Sequence, residues 1–468
     1  VAVQLIAIPL LLMAAWGLLS GKSLVKPYLA SSTLILGLLL VFAVQLLPLP
    51  PELWSQLAAK PLGPETMPGQ FPNEGGWRTL SLTPEATWTA AASLLPPLAM
   101  FAAVIQLDRT ARLRLNDLLL GLGVLSLLIG LLQVAQGPSS PLRLFEFTNP
   151  SEAVGFFANR NHFAALLYVT LILVTVWLMP AIRSSLQPGA INTIAIFWLL
   201  AGIAIFVAIA AGLAVARSRA GVFLAMAALA GITFIVLADR FSSGTQDPAN
   251  DNQMPRSRQI MLGVVGFAGL FAAVFGLQRI LTRFERDPLE DLRIVFSTTT
   301  LETAISSLPF GTGIGSFVPI YSIAEKAEDL FSGFANRAHN DFAEFFLEAG
   351  ILGVVLILAF ITWWAMRALN VWSGRQSNLT QRDVTLMRAA TLVLLLLMAH
   401  SLVDYPLRTT ALSVVFAFCA ACLIPPLYEQ DQPATPSDSP IPQTSGAFLP
   451  RTAARQQPSP RTSSTLTA

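Results

Sequence analysis

Predominantly apolar runs of about eighteen or more residues recur along this sequence roughly eleven times, at 2–20, 29–48, 88–106, 115–134, 162–181, 191–215, 220–238, 260–279, 343–366, 388–404 and 410–427. No other feature limits the fold so tightly. In hydrocarbon every backbone N–H and C=O has to be satisfied within the chain, so segments of this kind cross as helices. The sequence therefore predicts an all-α, polytopic membrane helix bundle of about eleven spans. Composition agrees, with 54% hydrophobic and only 12% charged residues, about half the charge of soluble domains. A water-soluble enzyme, a disordered chain and a nucleic-acid binder are excluded. Cys419 and Cys422 lie in an apolar run and read as small buried hydrophobes rather than a disulfide or metal site.

The short loops set the sidedness. Those after the first, third, fifth, seventh and ninth spans carry Lys22 and Lys26; Arg109, Arg112 and Arg114; Arg183; Arg240, Arg256 and Arg258; and Arg367, Arg375, Arg382 and Arg388. By the positive-inside rule these face the cytoplasm. The chain then starts outside, and because it opens at Val1 rather than Met, a twelfth, upstream span is expected. The opposite loops, 49–87, 135–161, 216–219, 280–342 and 405–409, are richer in Pro, Gly, Trp and acids. Residues 1–428 are expected to form one transmembrane domain, with its motifs at 80–410 and a large outer loop at 280–342. Residues 429–468, rich in Pro, Ser, Thr and Gln, are expected to be a disordered cytoplasmic tail.

The large loop has structure of its own. Asp287-Pro288 reads as an N-cap and first helical residue. Leu289, Leu292, Phe296, Thr300, Thr303 and Ser307 then share a helical face, with Leu301 and Ile305 near it, so a helix lying on the outer membrane surface is expected. In the following Pro309–Ser316 run, glycine alternates with larger residues. Such a run either presents backbone N–H groups to a phosphate or makes a tight turn.

The chain has three His, and His162, His339 and His400 all map to the outer side. His162 stands with Arg160 and Asn161 at the mouth of the fifth span, as a polar cap or as an edge contacting sugar or phosphate. Arg217 and Arg219 run against the positive-inside bias, which suggests an anionic partner, either lipid headgroups or a lipid-linked diphosphate. His339 and Asn340 precede Asp341, Glu344 and Glu348, acids that should face a protein interior or cavity. A His beside acids is a candidate general base near neutral pH, or else part of a structural cluster. His400 and Asp404, four apart, share a helical face as packing partners or as support for a site. Gathered at one membrane face, these groups suit transfer from a membrane-anchored diphosphate. Arg would neutralise the leaving group, and one base would deprotonate an acceptor hydroxyl.

These residues resemble the O-antigen ligase and O-antigen polymerase superfamily, multi-span enzymes of bacterial surface glycan assembly. The resemblance rests on Asn159–Ala164, on Ser218-Arg219 at a span start, and on Arg293 upstream of Pro309–Gly315. It continues through His339–Phe342 with Glu348–Gly353, and His400–Leu407. It implies a fold related to C-type glycosyltransferases in the bacterial inner membrane, with the site facing the periplasm. It further implies an undecaprenyl-diphosphate-linked glycan donor, inversion at the anomeric carbon, and neither cofactor nor metal. By motif, Arg219 and Arg293 would bind the diphosphate with Arg217 and Arg160 assisting, and His339 would activate the acceptor. Asn161, His162, Asn340, Asp341, Glu344, Glu348, His400 and Asp404 would support the site. The acceptor is a glycan, a lipid A core or a protein hydroxyl, and the motifs do not separate the three. A lipid-linked glycan flippase without chemistry is the alternative, but transporters place polar groups and broken helices at mid-membrane.

Overall fold

A computed structural model describes residues 2–20, 26–57, 76–185, 193–242, 263, 266, 288–330, 333–374 and 379–425. The chain divides into two units, Val1–Glu429 and Gln430–Ala468, the second of which lies outside the described residues. The expected span at 260–279 lies almost wholly outside them too, as do Lys22, Arg256, Arg258 and Arg375.

The regular secondary structure of the described residues is helical apart from one two-residue strand pair. Helices α1 (Ala2–Ser20) and α2 (Lys26–Leu46) lead into strand β1 (Pro48–Leu49) and the short α3 (Pro51–Leu57). Strand β2 (Arg78–Thr79) pairs antiparallel with β1, with Pro48 opposite Thr79. Then follow α4 (Pro84–Ser93), α5 (Leu95–Val104), α6 (Arg109–Gln136), α7 (Arg160–Ser185), α8 (Thr193–Ala216) and α9 (Arg219–Ser242). The C-terminal half contains α10 (Pro288–Ser306), α11 (Phe317–Ala324), α12 (Asp341–Trp372), α13 (Gln381–His400) and α14 (Thr410–Cys422). Among the described residues, nine helical segments are long and apolar enough to cross a membrane. The fold is thus an all-α polytopic membrane protein.

Two spans differ from expectation. The third is two helices, α4 and α5, which meet at Leu94. Pro96 and Pro97 cannot donate to the preceding turn, so the first helix ends and the second starts there. The last is not an 18-residue span but the 13-residue α14. It begins only after a 3₁₀ turn at Pro406–Arg408, and Pro425-Pro426 cannot continue it. Its Phe418, Cys419, Ala420, Ala421 and Cys422 are buried, and both thiols are free. Packed among other helices, α14 need not be long enough to span alone.

Helix α7 is the axis of the bundle. From Phe163 to Val176 its residues are buried on all sides, as a helix apolar all round has to be. Helices α6, α8, α9 and α13 pack around it. A second apolar cluster sits at one end, where Phe296 and Ala304 of α10 meet Phe317, Ile320 and Tyr321 of α11 and Leu347 of α12. Helix α10 is where the apolar face of the large loop was expected. Phe296, Thr300 and Ser307 point inward and are buried, while Ile294, Leu301 and Ile305 form an exposed apolar ridge on the other side. That ridge suits the face of an interfacial helix turned to lipid.

Candidate active site at one end of the bundle

Four pieces of chain distant in sequence meet above the end of α7. These are the first turn of α7, the 333–340 segment before α12, the 401–408 turn after α13, and α10. Each is held by local chemistry. At α7 the Asn159 side chain accepts from Asn161 N–H (2.8 Å), and Asn149 Oδ1 accepts from Arg160 N–H (2.9 Å). At α12 the Asn340 side chain caps the helix by accepting from the N–H groups of Phe342 and Ala343, both at 3.1 Å. The 401–408 turn is tied to α12 because Asp341 N–H donates to Ser401 O (2.8 Å) and Ser401 Oγ to Asp341 Oδ2 (2.8 Å).

Asp404 is the centre of the polar groups. It is fully buried, and its Oδ1 lies 3.1 Å from His339 Nδ1. Asn161 donates to its other oxygen, and Tyr405 N–H donates to Oδ1 (3.0 Å). Burial raises the Asp404 pKa, but the His339 hydrogen bond and the charges of His162, His339 and Arg293 outweigh it and hold the carboxyl far below the usual carboxylate range. An imidazole that donates from Nδ1 to the Asp404 carboxylate and carries no second proton has its lone pair on Nε2. The His339 side chain is 15% exposed.

Aromatic rings enclose the dyad. Phe296 stacks on the His339 ring at 6.2 Å, and Tyr405 stands edge-on to both His339 (5.0 Å) and the buried His162 (4.8 Å). The Tyr405 hydroxyl accepts from the Asn159 and Asn336 amides, at 3.5 and 3.4 Å. Burial and the Asp404 charge raise its pKa, so the hydroxyl stays protonated. Deeper in the bundle His400 Nδ1 shares a hydrogen bond with Tyr168 Oη (3.1 Å). Arg293 lies one turn before Phe296 on α10, half-buried, and its charge acts on Asp404.

The expected acids form a separate cluster. Arg408 pairs with Asp341 (3.4 Å), Glu344 (3.4 Å) and Glu348 (3.0 Å), and Arg337 pairs with Glu344 (2.8 Å). Burial lowers the Arg408 pKa, but the carboxylates raise it by more, so its charge is secure. The acid that meets His339 is therefore Asp404, and not Asp341, Glu344 or Glu348. His339 itself sits in the left-handed region, at φ 52°. For a side chain other than Gly or Asn this costs about 1 kcal/mol or more and persists only where neighbours impose it.

The glycine run is a turn and leaves no N–H for a phosphate. Every backbone N–H from Gly311 to Phe317 has an acceptor in the chain. Gly311 donates to Ser307 O, Thr312 to Leu347 O, Gly313 to Glu348 O, Ile314 to Gln45 Oε1 and Ser316 to Gly313 O, while Gly315 and Phe317 both donate to Glu348 Oε1. The run thus wedges against α12 at Gly350, whose φ of 59° breaks the helix.

The arginines divide. Arg160 pairs with Glu152 at 3.0 Å. Arg217 is exposed and Arg219 half-buried, at the start of α9. That end lies beside the first turn of α7, since a Cβ on Gly221 would stand 2.4 Å from the Ala164 Cβ. Among the described residues no group of His, Cys, Asp and Glu has the geometry of a metal site. Tyr168, Asn336, Arg337 and Arg408 have no role assigned from the sequence, and Asn159 and Tyr405 enter it as members of the Asn159–Ala164 and His400–Leu407 motifs. Tyr405 is signalled by its place in the His400–Leu407 motif, and Arg408 by its place just beyond it.

A multi-spanning helical protein with one polar, histidine-bearing site at the end of its bundle is suited to group transfer at a membrane surface. Residues 204–358 match the O-antigen ligase family model, so this segment of the chain is similar to that family. The matched segment includes Arg217, Arg219, Arg293, His339 and the Asp341–Glu348 acids, while Asn161, His162, His400 and Asp404 lie outside it. No curated protein matches the chain.

Proposed function

We propose that this chain transfers a glycan from undecaprenyl diphosphate to an acceptor hydroxyl at the periplasmic face of the bacterial inner membrane, in ligation or polymerisation of O-antigen or exopolysaccharide. The observation that carries this reading is the His339–Asp404 pair, with Arg293 close enough for its charge to act on Asp404. His339 Nε2 takes the proton of the acceptor hydroxyl. The freed oxygen attacks the anomeric carbon from the face opposite the diphosphate, and the bond from that carbon to the phosphate oxygen breaks. This gives inversion. Undecaprenyl diphosphate leaves with the electron pair, and Arg293 and Arg219, assisted by Arg217 and Arg160, neutralise the charge it gains. Asp404 keeps the imidazole in the tautomer with its lone pair on Nε2 and stabilises the imidazolium that forms. The Lys- and Arg-rich loops, read by the positive-inside rule, support the periplasmic assignment.

The test uses purified protein in lipid nanodiscs with a lipid-linked glycan and candidate acceptors. His339→Ala and Arg293→Ala should each lower release of undecaprenyl diphosphate by about 10²- to 10³-fold, with helical content unchanged by circular dichroism. Near-normal release by either variant would overturn the mechanism. Passage of intact donor across liposomes without release would instead identify a flippase.

A further inference from the structure

The left-handed backbone of His339 needs a cause, and the groups that impose it are on both sides. After His339, the Asn340 cap and the Asp341 N–H bond to Ser401 O fix the chain. Before it, the hold comes from a side chain further along the same helix. Glu344, fully buried, turns back so that its Oε2 accepts from the Ala338 N–H at 3.0 Å, while Oε1 pairs with Arg337 at 2.8 Å. Both residues immediately before His339 are therefore anchored by one carboxylate.

We propose that Glu344 is a positioning residue that sets the His339 imidazole against Asp404 through the hydrogen bond it accepts from the Ala338 backbone. The proposal rests on the reading of His339 as the base. Glu344 touches neither His339 nor any group assigned to donor or acceptor; it acts through the backbone. Of its ion pairs, the one with Arg408 is shared with Asp341 and Glu348, while the one with Arg337 acts beside the Ala338 bond on the chain just before His339. Three carboxylates face Arg337 and Arg408 in this cluster, so removing one charge leaves it balanced rather than short of an acid.

Two substitutions separate reach from charge. Glu344→Gln keeps an oxygen at the right distance from Ala338 N–H and loses the charge. Glu344→Asp keeps the charge and withdraws the oxygens by one methylene. The readout is the rate at which diethylpyrocarbonate modifies His339 in the full chain in nanodiscs, followed by peptide mass spectrometry. His162 and His400, 4% and 0% exposed, report whether the bundle stays closed. His339 should react within about twofold of the parent rate in Glu344→Gln, and about fivefold faster or more in Glu344→Asp and Glu344→Ala, as the imposed backbone relaxes. In cells lacking the gene, surface glycan made by the Asp and Ala variants should fall at least about tenfold, with the Gln variant within about threefold of parent.

An unchanged His339 rate in Glu344→Asp would overturn the proposal. So would a Glu344→Gln variant as reactive as Glu344→Ala, because charge and not reach would then be the cause. Loss of His162 protection in both the Gln and Asp variants would show a global structural role and overturn it as well. If His339→Ala still transfers glycan while Glu344→Asp accelerates modification, the base assignment fails but the positioning of His339 stands.

Discussion

Asp404 divides its two oxygens, one to His339 and Tyr405 N–H, the other to Asn161. Such a carboxylate is useful only while ionised. Burial works against the charge, but the His339 bond and the surrounding cations hold the folded pKa well below its unfolded value of about 4. The sign follows from linkage. A depressed folded pKa contributes stability that is fully present above the unfolded pKa and is lost only as pH falls through the folded one. Transfer between about pH 5 and 9 should therefore show no limb from Asp404. Asp404→Asn should lower transfer by about 10²-fold or more with little change in helical content, since the isostere no longer fixes the His339 tautomer. Release of undecaprenyl diphosphate against pH checks both. In the sequence, Asp404 was visible as the residue four after His400. Its actual partner, His339, is 65 residues away, and only the packing of α12 against α13 brings them together.

Among the elements, α12 depends most on an exception to regular geometry. It carries Glu344 and Glu348 on one face, as their spacing implied, and breaks at Gly350 to admit the Pro309–Ser316 turn. Gly350 has φ 59°, and a Cβ there would lie 2.2 Å from Pro309 O. Gly350→Ala should cost about 2 kcal/mol or more, because no flexible side chain can yield. Gln45 of α2 completes the same joint. It accepts from Ile314 N–H (2.9 Å) and donates to Glu348 O (2.7 Å), which also accepts from Gly313 N–H, so Gln45→Leu should cost about 1–3 kcal/mol by stranding the Ile314 N–H. Thermal unfolding of the detergent-solubilised protein measures each. The glycine run itself was legible in the sequence, but whether its N–H groups faced a phosphate or the protein was not. That choice depends on Gln45 and Glu348, far away in sequence, occupying the acceptor positions.

Across the whole molecule the charged residues serve different ends of the bundle. Arg112, read from its loop as a topology signal, is buried and donates to Val104 O (3.0 Å), Ile105 O (3.3 Å) and Ile424 O (2.6 Å). It thus satisfies carbonyls where α5 and α14 end. Arg112→Ala should destabilise the bundle by about 2–4 kcal/mol, whereas Arg114→Ala, at an exposed position on the same helix, should change stability by less than about 0.5 kcal/mol. A thermal-shift comparison of the two distinguishes the structural role from the topological one.

The sequence alone determined that the chain is a helical membrane bundle, because hydrocarbon tolerates only backbones that satisfy themselves and the apolar runs are local. It also marked the residues whose chemistry is costly at a membrane: three His, outward Arg and the acids near His339. Tertiary structure decided which of these meet. It gave His339 to Asp404 rather than to its neighbouring acids, and gave those acids to Arg337 and Arg408. It closed the glycine run into a turn and twisted His339 into a left-handed backbone held by Glu344. Each of these is a contact between distant segments, set by how side chains fill the space where helices cross, and nothing in local periodicity encodes it.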